Sequence, residues 1–284
     1  MQHVAGQLLV NGLILGSIYA LISLGFNVIY RTTGVINFAQ GEFVMLGGVA
    51  TGWAYHSLSL SIPWAILIGM AVATCAGVLV DLLAIRPLRA ASPVILVIIT
   101  IGASIVLQAA AALIWGTQPY YLPVVREGSL PFAQVNVSYQ SLLIVAVVTV
   151  CIVLLSLFFR CTTLGMAMKA CAENRDAARL CGVHTGRIST LTFALSALLG
   201  GIGGILVTPL LSMSFDNGTM LGLKGFAAAI LGGIGNPVGG VVGGLLMGVL
   251  EQYATWFSSV YKDTLALAVV VIILLLRPRG LLTK

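Results

Sequence analysis

The chain carries very little charge. Of its 284 residues, 8% are Asp, Glu, Lys or Arg, where ordinary soluble domains carry about 25%. Hydrophobic residues make up 59%, and mean hydropathy is +1.09. A soluble fold of this size could not cover its surface with so few charges, so the chain is a polytopic membrane protein. Cysteine and histidine are sparse too. Cys75, Cys151, Cys161, Cys171 and Cys181 show no C-x-x-C spacing, and His3, His56 and His184 are scattered. Structural disulfides and metal sites are not expected. There is no G-x-x-x-x-G-K-[ST], and Gly218 to Lys224 comes nearest with the wrong spacing, so no ATP site and no other cofactor are expected in this chain. No Ser/His/Asp set or carboxylate pair stands out, which argues against an enzyme. Acids at membrane depth are few: Glu42 and Asp81, with Glu251 near a segment end. That is thin for a proton relay. The net charge of +6 follows from basic residues at membrane edges and gives no reason to expect nucleic acid.

Long apolar runs are what the chain has instead. They lie at about 8–29, 35–55, 62–85, 93–115, 139–159, 189–211, 225–234, 238–256 and 261–276. A crossing helix needs about 20 residues, so the seventh run and the last are short. The first run lacks a basic leader and is read as a membrane segment, not a cleaved signal. The expected fold is all-α: one transmembrane domain over 1–284, a bundle of about eight to nine hydrophobic segments including broken or re-entrant helices.

Basic residues set the orientation. Arg31, Arg86, Arg89, the loop 160–187 and the tail with Arg277, Arg279 and Lys284 fall on one side. Arg126, Lys224 and Lys262 fall on the other. The positive-inside rule then puts the N-terminus outside and the C-terminus inside. The stretch from Lys224 to Trp256 must begin and end on one side. It is read as a broken pair turning at Gly235-Asn236-Pro237, with one kinked helix as the alternative. Broken helices of this kind line substrate paths in transporters, which makes Asn236 a candidate path residue. The overlapping four-residue spacings from Gly239 to Gly248 predict a close helix–helix interface.

Two polar stretches interrupt the apolar chain. Residues 160–187 hold Arg160, Lys169, Glu173, Arg175, Asp176, Arg179 and Arg187, and read as a cytoplasmic helix from Gly165 to Cys181 closed by Gly182. The second stretch, Asn37, Gln40 and Glu42, could line a path for a polar solute. Glu42 itself reads first as the cap of a half-helix N-terminus, where the dipole favours an anion, and the segment as a whole as path lining. Thr100, Ser104 and Gln108 recur on one face of the fourth segment and must face protein or water. Asp81 is expected to pair with Arg86 or Arg89.

Together these motifs resemble a known set. The INFAQGEF stretch within Tyr30–Phe43 is similar to the signature of branched-chain amino acid ABC transporter permeases of the LivH/LivM type. So are Arg86-Pro87-Leu88-Arg89, Leu164–Val183, Gly225–Gly244 and the tail Arg277–Leu282. The resemblance implies a permease subunit in a bacterial-type cytoplasmic (inner) membrane, multi-pass, carrying branched-chain or similar amino acids by alternating access. It implies a second related permease as heterodimer partner, two cytoplasmic ATPase subunits that use the ATP, and a periplasmic or extracellular substrate-binding protein. It makes Asp176-Ala177-Ala178 with Gly182 a variant of the EAA-x3-G docking motif, with Lys169 and Glu173 beside it as coupling residues. Gln40 stands where the family more often has His, and Thr192 replaces an expected Ile. Related permeases handle urea and short amides, which is the alternative substrate class. A secondary transporter or channel is the alternative of another kind, and it leaves the loop 160–187 unexplained.

Overall fold

Proline and small polar residues mark where helices begin. Pro63, Pro93 and Pro237 stand in first turns, where a missing N–H costs nothing. Ser138 Oγ accepts from the Ser141 amide at 3.1 Å, and Thr162 Oγ1 from the Gly165 amide at 3.0 Å. A computed structural model describes residues 2–89, 91–132, 135–277 and 280–282. The expected basic tail positions Arg279 and Lys284 lie outside the described residues.

The first half of the chain contains α1 (Gln2–Thr33), α2 (Gln40–Ser57), α3 (Ile62–Leu79) continued by a π-helical turn over Val80–Ile85, α4 (Pro93–Trp115) and α5 (Tyr139–Cys161). A hairpin of β1 (Ser129–Phe132) and β2 (Val135–Ser138) lies between α4 and α5. It is a small addition to the all-α expectation. The second half contains α6 (Thr163–Glu173), α7 (Arg175–Leu180), α8 (Thr185–Val207), α9 (Asn217–Gly232), α10 (Pro237–Phe257) and α11 (Lys262–Leu276).

Among the described residues, five helices are long and apolar enough to cross a membrane: α1, α3 with its π-helical turn, α4, α5 and α8. The pair α9 and α10 makes up to six. This is fewer than the eight or nine apolar runs suggest. The run at 35–55 loses its front to non-helical residues before Gln40. The run at 261–276 gives α11, whose 15 residues rise about 22 Å, short of the roughly 30 Å hydrocarbon core. The short run at 225–234 belongs to a longer helix, α9, that begins at Asn217.

The pair α9 and α10 bends by 120° at its break, so the kinked-helix alternative fails. Asn236 caps α10 through the Val238 amide at 3.2 Å, and the Gly235 amide donates to Asn27 Oδ1 at 2.6 Å. The glycine run serves two interfaces at once. Gly239 and Gly243 meet Gly232 and Ala228 of α9, while Gly240, Gly244 and Gly248 meet Asn27, Ala20 and Gly16 of α1. A Cβ on Gly244 would overlap the backbone of Ala20. Backbones that close are held by van der Waals contact, the main attraction available between helices in lipid.

The windows of α1 and α8 that could span are 67% buried, against 17% for α4 and α5. The protein therefore has an inner layer of α1, α2, α8, α9 and α10. On the outer layer, Ile98, Ile105 and Leu113 of α4 and Val153 and Leu154 of α5 are exposed, as lipid-facing residues should be. Arg31, Arg160 and Lys169 border one cavity with Pro237, and Arg86, Arg89, Arg175 and Arg179 border another. These form one basic end of the bundle. Lys224 is not a loop charge, as its place in the sequence suggested. It is a buried residue of α9.

Candidate functional site

The polar stretch of Asn37, Gln40 and Glu42 forms a break between α1 and α2. Gly34, at φ +71°, turns the chain out of α1. The amide of Ala39 donates to Asn37 Oδ1 at 3.1 Å, and the amide of Phe38 to Thr100 Oγ1 at 3.1 Å. Helix α2 then starts at Gln40, whose Nε2 donates to the Ser196 carbonyl at 3.1 Å and whose Oε1 accepts from the Ser196 hydroxyl at 2.7 Å. Ser196 lies near the middle of α8, so α2 begins well inside the bundle.

Glu42, in the first turn of α2, is fully buried. Its Oε1 accepts from Ser104 Oγ at 2.9 Å and Thr219 Oγ1 at 3.2 Å. Its Oε2 lies against Gly218 with no hydrogen-bond partner. The carboxylate therefore does not close its own helix. It reaches to the N-terminus of α9, which packs on α2 through Gly41, Gly218 and Gly222. Two half-helices thus begin side by side within the bundle, each with its positive dipole end near one carboxylate.

The structure brings Asn37, Gln40, Glu42, Thr100 and Ser104 into one region. The polar face of α4 turns toward protein: Thr100 is buried and Ser104 holds Glu42. Gln108, one turn further, is half-buried and forms no side-chain hydrogen bond among the described residues. Asn236 is elsewhere. It sits at the basic end, where its Nδ2 donates to the Leu282 carbonyl at 3.2 Å.

The polar stretch over 160–187 is an elbow of two helices rather than the single expected one. Asn174 causes the break: its Oδ1 accepts from the amides of Asp176 at 3.0 Å and Ala177 at 2.9 Å. Side-chain capping of this kind competes with helix continuation. Met168, Cys171, Ala178 and Ile188 form a small core that fixes the elbow to α5 and α8. Lys169, Glu173, Asp176 and Ala177 are exposed, and Ala178 is buried. Gly182, at φ +84°, ends the elbow as expected. Leu164, Met166 and Leu180 stand exposed on it, Leu180 at 89%. Burial pushes the Cys171 thiol above its ordinary value. Burial, and then the Arg89 charge, pull the Arg175 guanidinium below its own.

The whole chain is similar to known transport proteins. Residues 8–276 match the family model described as branched-chain amino acid transport system, permease component. The chain belongs to this family. The permease is 36% identical to the high-affinity branched-chain amino acid transport system permease protein BraD of Pseudomonas aeruginosa, over 98% of this chain and 95% of that one. It is 32% identical to the permease protein LivH of Escherichia coli K12, with the same coverage. In fold it resembles an inward-facing structure described as a metal-chelate type ABC transporter, with TM-score 0.50, 17% identity and coverage of 95% and 85%.

Of two further polar clusters in the permease, sequence reasoning reached one pair in the first and none in the second. Asp81 pairs with Arg89 at 3.1 Å, as expected, but also accepts from Ser189 at 2.7 Å and Thr190 at 2.6 Å. It ties the π-helical turn to the base of α8, next to the elbow. Lys224 Nζ reaches Glu251 at 2.8 Å and Asp263 at 2.9 Å, and the Tyr19 hydroxyl donates to Glu251 at 2.7 Å. That cluster binds α1, α9, α10 and α11 together. Its only trace in the sequence is a lysine among glycines, since its partners lie far along the chain.

Proposed function

We propose that this permease is the membrane subunit through which branched-chain aliphatic amino acids cross a bacterial-type cytoplasmic membrane in an ATP-driven importer. The observation that carries the reading is near full-length similarity, at 32–36% identity, to permeases named for branched-chain amino acid transport. The geometry supports it. A path built from α2, α4, α8 and α9, with polar groups at Asn37, Gln40, Glu42, Thr100 and Ser104, suits a small polar solute. The elbow from Thr163 to Leu180, with its uncovered leucines outside the apolar bundle, suits a soluble partner.

In this reading two cytoplasmic ATPase subunits dock on Lys169, Glu173, Asp176, Ala177 and Gly182 and consume the ATP, while Ala178, expected among the docking residues, is buried and holds the elbow to its core from beneath. A second related permease completes the path, and a substrate-binding protein delivers the solute from outside. The basic end faces the cytoplasm, with the N-terminus outside and the C-terminus inside, because a membrane protein retains its excess Lys and Arg on that side. The ATPases pull the elbow, the elbow is fixed to α5 and α8, and α8 carries Ser196 at the start of α2. Motion at the docking face thereby reaches the path.

Co-expression with candidate ATPase, permease and binding-protein partners tests this. The expected result is a stable complex that purifies through a tag on this chain and loses its ATPase subunits when Asp176 is replaced by Lys. Purification of this chain alone, with full solute transport by itself, would contradict it.

A further inference from the structure

We propose that Glu42 and the first turn of α9 form a binding site for a zwitterionic α-amino acid. The ammonium group would sit on Glu42 Oε2 and the carboxylate on the backbone amides that open α9. This deepens the amino-acid reading above and rests on it.

The observation that starts the argument is an oxygen without a partner. Glu42 is 0% exposed, and Oε2 accepts no hydrogen bond while Oε1 accepts two. Buried polar atoms are nearly always paired, and a lone carboxylate oxygen at membrane depth marks a functional group. Ser104 and Thr219 fix the carboxylate on one side and aim the other oxygen at Gly218, the second residue of α9. An ammonium is the ligand group such an oxygen lacks.

The second half of the site has the opposite sign. Helix α9 has 16 residues, and Asp216 at its N-cap makes no side-chain capping bond. The first amides of a helix have no intrahelical acceptor, and those of Gly218 and Thr219 find none elsewhere among the described residues. Dipole and amides together suit a carboxylate. An α-amino acid carries its two charges on adjacent atoms, so one molecule can meet both halves. Thr219, Met220 and Leu223 are exposed on the same helix, which leaves an apolar face beside the site for an aliphatic side chain.

The test uses the assembled importer with Met220→Cys, an exposed position one residue after Thr219. Labelling of that cysteine by a maleimide is followed by peptide mass. Saturating L-leucine should slow it about tenfold, the protection given by ligand at about ten times Kd. Leucinol, which lacks the carboxylate, and 4-methylpentanoate, which lacks the ammonium, should protect about tenfold less well, as loss of a charged hydrogen bond predicts. Adding Glu42→Gln should abolish protection by L-leucine. Equal protection by all three compounds, or undiminished protection in the Glu42→Gln chain, would overturn the site. So would an absence of protection in a complex that still takes up leucine. A complex that takes up no leucine at all would instead remove the amino-acid reading itself. If Glu42→Gln does not assemble, the three compounds on the Met220→Cys chain decide the matter alone.

Discussion

At the scale of single residues, Lys224 shows how a buried charge is tolerated in this bundle. Its ammonium lies between Glu251 at 2.8 Å and Asp263 at 2.9 Å, and Tyr19 takes the second oxygen of Glu251. Removing one partner of such a set leaves an uncompensated buried charge, at about 3–5 kcal/mol. Lys224→Met should therefore lower the apparent melting temperature of the detergent-solubilised protein sharply. The double change Lys224→Met with Glu251→Gln should recover much of the loss, because the remaining carboxylate, Asp263, is partly exposed. A double variant no more stable than the single one would show that the cluster does not act as a unit. This cluster was not legible in the sequence. A lysine near a segment end reads as a loop charge, and nothing local to it names partners 27 and 39 residues away. Glu42 was legible as a polar interruption. That it faces α9 and not its own helix end depends on tertiary packing of Gly41 against Gly218, which no local pattern encodes.

At the scale of elements, the breaks between helices matter more than their lengths. The turn at Gly235-Asn236-Pro237 could be read directly, because glycine, a capping asparagine and an N1 proline each signal it independently. The break at Asn174 was missed, because the apolar and charged residues on either side keep helical spacing. The cap alone makes an elbow of α6 and α7. Its charges are exposed, and Met168, Cys171 and Ala178 point inward, as the proposed coupling role needs. Gly182 holds the exit at φ +84°, a conformation that costs a β-branched residue about 1–2 kcal/mol or more. Gly182→Val should leave ATP hydrolysis by the complex measurable but reduce coupled solute uptake about tenfold, the population change that about 1.4 kcal/mol produces. Uptake per ATP equal to that of the unaltered chain would remove the elbow from the coupling path.

At the scale of the whole molecule, α3, α4 and α5 pack outside an inner layer of α1, α2, α8 and the bent pair α9 and α10, held together through glycines. The polar break between α1 and α2 lies next to the start of α9. The sequence conveyed the membrane class, the family and the basic end, all of which rest on composition and on motifs spread along the chain. Its eight to nine apolar runs become five helices long and apolar enough to cross and one bent pair, since an apolar run need not be a full helix. The proposed orientation makes a direct prediction from the native cysteines. Cys161 and Cys181 are exposed at the elbow, whereas Cys171 is buried there with its thiol pushed up by burial. A membrane-impermeant maleimide should label Cys161 and Cys181 in inside-out vesicles and not in right-side-out ones, with Cys171 much slower. The reverse pattern would invert the topology.

The proposed function is passage of branched-chain amino acids under ATP drive. The most direct measurement is uptake of radiolabelled leucine into proteoliposomes holding the complete complex, with the binding protein added outside and ATP trapped with the ATPases. Uptake should be saturable and ATP-dependent, with isoleucine and valine competing and urea and acetamide not. Uptake of urea or acetamide in place of leucine, or leucine flux through this chain without ATP and without its partners, would contradict it.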